Sequence, residues 1–318
     1  TLTTPKPLIP IAGKPIVARL VEEIEAVCQD QIATIGFVVP ELESAMQAQL
    51  RAIAQGVGAQ AYFYEQPAAL GTAHAIFCAQ ALLQGKVMIA FADTLFKGSP
   101  TVDTSQESVI WVKQVQEPSA FGVVKLGDDQ FVTDFVEKPG KFVADLAIIG
   151  IYYFREGAVL QKAIQHLIMQ GTTQDGEYQL TAVLAAMKHQ GIQFATQEVA
   201  EWLDCGNKEA TLYANQRFLT FLQDRKDLIA PTAQVHHSII IPPVYLGEAV
   251  VVNHTVLGPY VAVGSYTHID NARIQNSIIQ EHSIISNANL QNSMLGSYVH
   301  FSGKIAEVNV GDYNTLIS

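Results

Sequence analysis

Apolar positions follow two unlike patterns along the chain. Up to about Gln223 they alternate between helical spacing and short β-rich runs. The spacing predicts helices over Ile16–Val27, Leu42–Gln55 and Thr72–Leu83, with strands over Ile32–Val39, Ala61–Glu65 and Val87–Ala92. Strands alternating with helices of this length imply βαβ units and a mostly parallel sheet. After Asp93 come strands at Val109–Val115, Phe121–Leu126, Phe131–Glu137 and Leu146–Phe154. Helices over Ala158–Met169 and Leu180–Gln190, a strand near Phe194–Val199 and a helix over Lys208–Gln223 complete this part.

The tail obeys another rule. Aliphatics recur at Leu246, Val252, Leu257, Val263, Ile269, Ile274, Ile279, Ile285, Leu290 and Leu295, five or six residues apart. The run Ala272–Ile279 realigns with Ala288–Leu295, sixteen residues later, and Gly264-Ser265-Tyr266 with Gly296-Ser297-Tyr298. A helix needs a period near 3.6 and a lone strand a period of 2. Five-to-six spacing with β-branched residues fits a parallel β-helix whose coils each hold three short strands, one aliphatic per strand pointing inward. With Leu246-Gly247 and Val263-Gly264 at corners, the tail resembles the left-handed hexapeptide-repeat family. His237 and His254 are one coil apart, and Tyr266, His282 and Tyr298 form a sixteen-residue ladder, so both sets are expected to stack.

Composition sharpens the division. Of the charged side chains, seven lie in residues 229–318 and forty-two before, which places a domain boundary near Asp227–Pro231: residues 1–228, then 229–318. The net charge of −11 argues against nucleic acid or an anionic membrane as a broad-surface partner. It leaves room for a small phosphorylated ligand, since a pocket needs only a few cations. No apolar run is long enough to span a membrane, and the start does not read as a signal peptide. Three cysteines without a CxxC suggest reduced thiols in a cytoplasm, with Cys205 a buried structural thiol.

The opening Thr3-Thr4-Pro5-Lys6-Pro7-Leu8-Ile9-Pro10-Ile11-Ala12-Gly13-Lys14-Pro15 reads as an extended loop holding a lysine. A cation on a stiff loop suits an oligophosphate, and a plain Pro-rich connector suits the residues equally well. Gly56-Val57-Gly58 matches part of a dinucleotide fingerprint but precedes a strand, so it reads as a helix-ending turn.

Eight segments in order resemble the sugar-nucleotide pyrophosphorylase (sugar-1-phosphate nucleotidyltransferase) family. They are the opening loop, Gln66–Ala75, Ala90–Asp93, Phe121–Val124, Glu137-Lys138-Pro139, Ile148–Tyr152, Gly176–Thr181 and Trp202–Gly206. Each is weak alone; the ordered series is specific and covers nearly all of residues 1–228. The resemblance implies a Rossmann-like α/β domain with a mixed, mostly parallel sheet, followed by the left-handed β-helix that some members carry. It implies transfer of a nucleotidyl group from a nucleoside triphosphate to a sugar-1-phosphate, with pyrophosphate released.

Two anions meet in that reaction, so neutralisation and alignment dominate and no protein nucleophile is needed. By resemblance, Asp93 and Asp204 bind Mg2+, Lys6 the nucleotide phosphates and Lys138 the sugar phosphate. Glu137 accepts hydrogen bonds from sugar hydroxyls. Gly122 admits the sugar near the backbone, Gln66 reads the base edge and Gly71 lets the backbone approach the base. A lone Asp is more often a cap or turn residue; the motif series reverses that choice here. Family members also carry a glycine-rich G-x-G-(T/S)-R-(L/M)-x-P segment on the exit loop of the first strand. The sequence starts at Thr1, where that segment would just have ended. About 20 further residues, one strand and one loop, are therefore expected ahead of it, and a chain truly starting at Thr1 is expected to bind nucleotide poorly.

A glucose-1-phosphate thymidylyltransferase-like activity is the best single expectation, with uridylyl or guanylyl transfer open because Gln66 does not settle the base. The β-helix is expected to make a homo-oligomer. Two rivals are a non-catalytic sugar-nucleotide-binding subunit, and a second, acyltransferase activity suggested by six tail histidines.

Overall fold

The computed structural model describes residues 4–171, 173–174 and 176–304. Two compact units emerge, one of Ile16–Asp204 and one joining the first fifteen residues to Cys205 and beyond. The change of composition at 228/229 falls inside the second unit, because the last α/β-type helix packs with the solenoid strands.

In chain order, a 3-10 turn at Lys6–Leu8 leads to a ribbon of β1 (Pro10–Ile11) and β2 (Lys14–Pro15). The opening is thus a turn and ribbon rather than an extended loop; Leu8 N donates to Pro5 O and Ile9 N to Lys6 O. The first unit begins with α1 (Ile16–Val27), whose Ile16, Leu20, Ile24 and Val27 form one buried stripe at helical spacing. Then come β3 (Thr34–Val39), α2 (Ser44–Gly56), β4 (Gln60–Glu65), α3 (Thr72–Cys78), β5 (Val87–Ala90) and β6 (Thr94–Lys97). As read from sequence, α2 ends in a glycine turn, with Gly58 at φ +74°. Next are β7 (Ser108–Gln114), β8 (Val123–Leu126), β9 (Val132–Val136), β10 (Leu146–Phe154), α4 (Gly157–Gln170), α5 (Leu180–His189), β11 (Phe194–Glu198) and β12 (Glu201–Asp204).

The main sheet has six strands, in the order β11-β7-β10-β8-β9 with β5 also on β10. It is mixed: β11 pairs parallel to β7, and the remaining pairs are antiparallel. Of the antiparallel pairs only β8 and β9 follow one another directly; β10 pairs with β5, β7 and β8, which are not its neighbours in sequence. The parallel βαβ arrangement survives between β3 and β4. A short ribbon of β6 and β12, absent from the sequence-based expectation, runs antiparallel. Each of its strands is only four residues long, too short to carry a period.

In the second unit, α6 (Lys208–Phe221) is capped by Asn207, whose side chain accepts from Ala210 N at 2.9 Å. The solenoid that follows is a parallel β-helix of about four turns with three faces. Its strands stack seventeen residues apart in the first coils and sixteen in the later ones. Of the ten aliphatics expected inside, Leu246, Val252, Leu257, Val263, Ile269, Ile274, Ile279 and Ile285 are buried, and Leu290 and Leu295 in the last coil are half-buried against them. Outer corners carry the stacks foreseen from sequence. His237 lies on His254 at 5.2 Å, and Tyr266, His282 and Tyr298 are spaced at 5.0 and 4.9 Å. All five residues have left-handed φ. Among the described residues no helix is long and apolar enough to cross a membrane.

Candidate active site

One cleft of about 200 Å³ in the first unit gathers four of the expected site residues: Asp93, Gly122, Glu137 and Asp204. Asp93 sits in the turn between β5 and β6, at the carboxyl end of β5, where α/β sheets keep their ligands. Asp204 ends β12 and pairs in register with Thr94, the residue after Asp93. The short ribbon therefore brings together two carboxylates more than a hundred residues apart in sequence. The Trp202 indole N–H fixes the ribbon by donating to Thr94 Oγ1 at 2.8 Å.

A bulge in β10 shapes the floor. The pairing with β7 shifts between Ile148 and Tyr152, and Gly150 there takes φ +83°. A Cβ at Gly150 would come within 2.8 Å of the Phe91 ring, so only glycine lets the chain leading to Asp93 lie this close. Phe91 meets Tyr152 edge-on at 5.9 Å, and Phe121 meets Trp202 edge-on at 4.7 Å. Burial, followed by the charge of Glu137, pushes the Tyr152 hydroxyl well above its usual range.

Glu137 follows β9 and faces the cleft, its Oε2 accepting from Thr181 Oγ1 at 2.9 Å. A Cβ on Gly122 would stand 3.2 Å from that same carboxylate oxygen and from Thr181 Cγ2. Glycine at 122 thus keeps the Glu137 end of the cleft open. Gly122 O also accepts from Ile148 N at 2.8 Å, tying the segment to β10.

The other four expected residues lie elsewhere. Lys138 adjoins Glu137 but is exposed and does not line the cleft; its backbone turns away with φ +39° while its N–H donates to Phe121 O. Gln66 follows β4, and Gly71 stands at the start of α3. Gln66 Nε2 is 3.1 Å from both Gly71 O and His74 Nδ1, so its amide nitrogen serves the chain itself. Gly71 has φ +99°, and a Cβ there would strike Tyr178 O at 2.6 Å. Its glycine is explained by packing against Tyr178 rather than by room for a base. Lys6 is exposed and belongs to the other compact unit.

Sequence reasoning did not single out Thr181, Trp202, Phe121 or Tyr152, all of which line the cleft. Each stands inside a quoted motif segment, and that was the available signal. Cys205 is buried, as expected for a structural thiol.

Asp93 and Asp204 are the residues that could hold a metal. Two hard carboxylates suit magnesium, which usually takes one or two from protein and fills its shell with water and phosphate oxygens. Among the described residues no group of three or more His, Cys, Asp or Glu could bind an ion alone.

A family model for nucleotidyl transferases matches residues 1–220. The chain belongs to the nucleotidyl transferase family. It is 25% identical over 346 residues to a glucose-1-phosphate thymidylyltransferase of Streptomyces antibioticus, covering 99% of this chain and 94% of that protein. It is 29% identical to the bifunctional protein GlmU of Methanococcus maripaludis over 69% of this chain, and spans about half of that relative, 50%. To a mannose-1-phosphate guanylyltransferase catalytic subunit beta of Drosophila pseudoobscura pseudoobscura it is 26% identical, over 78% of this chain and 66% of that one. In fold it matches a solved UDP-glucose pyrophosphorylase complexed with UDP-glucose, with a TM-score of 0.55 and 21% identity over 69% of this chain and 92% of that one. This nucleotidyltransferase thus keeps the family fold around a cleft that ends in two carboxylates.

Proposed function

We propose that this nucleotidyltransferase joins a nucleoside triphosphate to a sugar-1-phosphate, forming a nucleotide sugar and releasing pyrophosphate. The observation that carries the proposal is the convergence of Asp93 and Asp204 on one cleft that also holds the Glu137–Thr181 pair. In this reading a sugar-phosphate oxygen attacks the α-phosphorus and pyrophosphate leaves in line, so positioning and charge neutralisation are the chain's tasks. Mg2+ held by Asp93 and Asp204 would neutralise phosphate oxygens. Glu137, oriented by the Thr181 hydroxyl, accepts hydrogen bonds from sugar hydroxyls, and Gly122 leaves room for them. Tyr152, kept protonated, is a neutral donor in the floor. Lys138 supplies a cation to the sugar phosphate and Lys6 one to the nucleotide phosphates, as flexible point charges.

For the substrates, dTTP and glucose 1-phosphate fit best. Two relatives bearing that activity in their names are matched over 94% and 88% of their lengths. With the Gln66 amide nitrogen engaged, its carbonyl remains as an acceptor for a ring N–H, which thymine, uracil and guanine possess. The free cysteines accord with a cytoplasmic setting, and the stacked coils give a surface for a homo-oligomer.

A matrix of triphosphates against sugar phosphates, read by pyrophosphate release, tests the proposal. One pair is expected to turn over, and Asp93→Asn should lower its kcat about 10²–10³-fold without changing the melting temperature. Near-normal kcat in Asp93→Asn would remove the metal assignment, and no turnover with any pair would favour a non-catalytic binding subunit.

A further inference from the structure

One face of the solenoid differs from the other two. Outward residues on two faces are exposed or half-buried, with Ile239, His268 and Ile284 exposed, but on the face formed by Val244–Leu246, Val261–Val263 and Ser277–Ile279 the outward Ala262 and Ile278 are buried. α6 packs over the strand Ser277–Ile279. The N-terminal segment is tied to the same unit at three points. Asn215 on α6, fully buried, accepts from Ala12 N through Oδ1 at 2.8 Å and donates from Nδ2 to Tyr260 O at 3.5 Å. Gly13 lies flat against Tyr245, where a Cβ would come within 2.2 Å of the ring. Thr4 Oγ1 donates to Gln280 Oε1 at 3.2 Å.

The geometry points to a second role for the solenoid: with α6 it holds the segment that carries Lys6, and Asn215 is the positioning residue of that hold. The inference rests on the reading of Lys6 as a triphosphate-binding cation. Lys6 stands between the Thr4–Gln280 bond and the ribbon turn at Ala12-Gly13, both of which are fixed. That turn has left-handed φ at both residues, 45° and 85°, a conformation costly for alanine. A buried amide bonded to its N–H is what keeps it so. A side-chain cation on a segment fixed at both sides loses less freedom on meeting phosphate than one on a free arm. Loosening Asn215 should therefore weaken triphosphate binding without touching the sugar-phosphate side.

Two measurements on the full chain test this. Amide hydrogen exchange in residues 4–15 is expected to rise in Asn215→Ala. With the most active pair from the substrate matrix, that variant should raise the KM for the triphosphate about tenfold. The KM for the sugar phosphate should stay within about twofold, and in a Lys6→Ala background Asn215→Ala should change the triphosphate KM little further, because the two residues act as one unit. Unchanged exchange and KM in Asn215→Ala would overturn the inference, as would an equal loss in both backgrounds. If Lys6→Ala alone leaves the triphosphate KM untouched, the phosphate reading of Lys6 fails, and the exchange data still decide whether Asn215 holds the segment. Should Asn215→Ala not fold, Thr4→Val breaks the Gln280 bond at a partly exposed site, and the same exchange and KM changes, smaller in size, are expected. Their absence would count against the inference.

Discussion

In the solenoid, residues sixteen or seventeen apart do the same job; in the α/β unit, each position of the cleft has a job of its own. Leu257, Ile274 and Leu290 succeed one another up one interior face, and Leu246, Val263, Ile279 and Leu295 up another. The cleft instead draws Asp93 from a turn, Asp204 from a strand end, Glu137 from a strand exit and Thr181 from a helix. Repetition spreads stability evenly over coils, each resting on its neighbours. A site built once concentrates demands on single residues, and those demands are met by glycines, bulges and turns.

Ile274, fully buried between Leu257 and Leu290, has no counterpart that could take over its volume. Ile274→Ala should cost roughly 2–5 kcal/mol of solenoid stability, read from denaturant unfolding, since the coil backbones cannot collapse onto the void. A cost far below that range would mean that coils repack independently, and the picture of evenly shared load would fail.

A smaller effect probes the α/β unit. Gly71 and Gly171 both have left-handed φ, at 99° and 67°. A Cβ on Gly71 meets the Tyr178 backbone, whereas nothing lies within 4 Å of one on Gly171. Gly171→Ala should cost about 1 kcal/mol for backbone strain alone. Gly71→Ala should cost more, about 2–3 kcal/mol, because strain is joined by displacement of the Tyr178 segment. That segment runs on to Thr181, which orients Glu137, so kcat should fall along with the melting temperature. Equal costs at the two glycines would show that the Tyr178 contact relaxes freely and plays no part in shaping the cleft.

The same contrast explains what the sequence made legible. A period repeated over four coils names its interior residues one by one, and the corner stacks followed from that count. Helix positions such as Ile16–Val27 were legible because one buried stripe recurs at 3.6. The β6–β12 ribbon was not, although it aligns both metal-binding candidates. Four-residue strands carry no readable period, and their pairing joins positions 94 and 204. The antiparallel bias of the main sheet was hidden for a related reason: spacing reports which residues form strands but not which way the chain returns. Asp93, Asp204, Glu137 and Gly122 were found through the order of motifs. The same motifs suggested a ligand-facing reason for Gly71, where the Tyr178 backbone supplies the actual one.

The smallest expected effect, that of His282→Asn, is read against His282→Ala to separate stacking from backbone conformation at the solenoid's outer corners. His282 lies between Tyr266 and Tyr298, with interplanar angles of 8° and 2°, and has φ +55°. The flanking rings are 50% and 70% exposed, so their stacking is partly offset by water. Asn occupies the same left-handed conformation at 271, 276, 287 and 292, and its amides bond up the ladder, Asn271 to Asn287 and Asn276 to Asn292 at 2.7 Å each. His282→Asn therefore removes the rings' partner but keeps a residue suited to the turn, and should cost about 0.5–1 kcal/mol. His282→Ala loses the stack and adds the left-handed penalty, for about 1–2 kcal/mol more. If calorimetry finds the two variants equally destabilised, the corner is held by its rings. If the asparagine variant matches wild type, conformation governs the corner, and the aromatic ladder is a consequence of the repeat rather than a support for it.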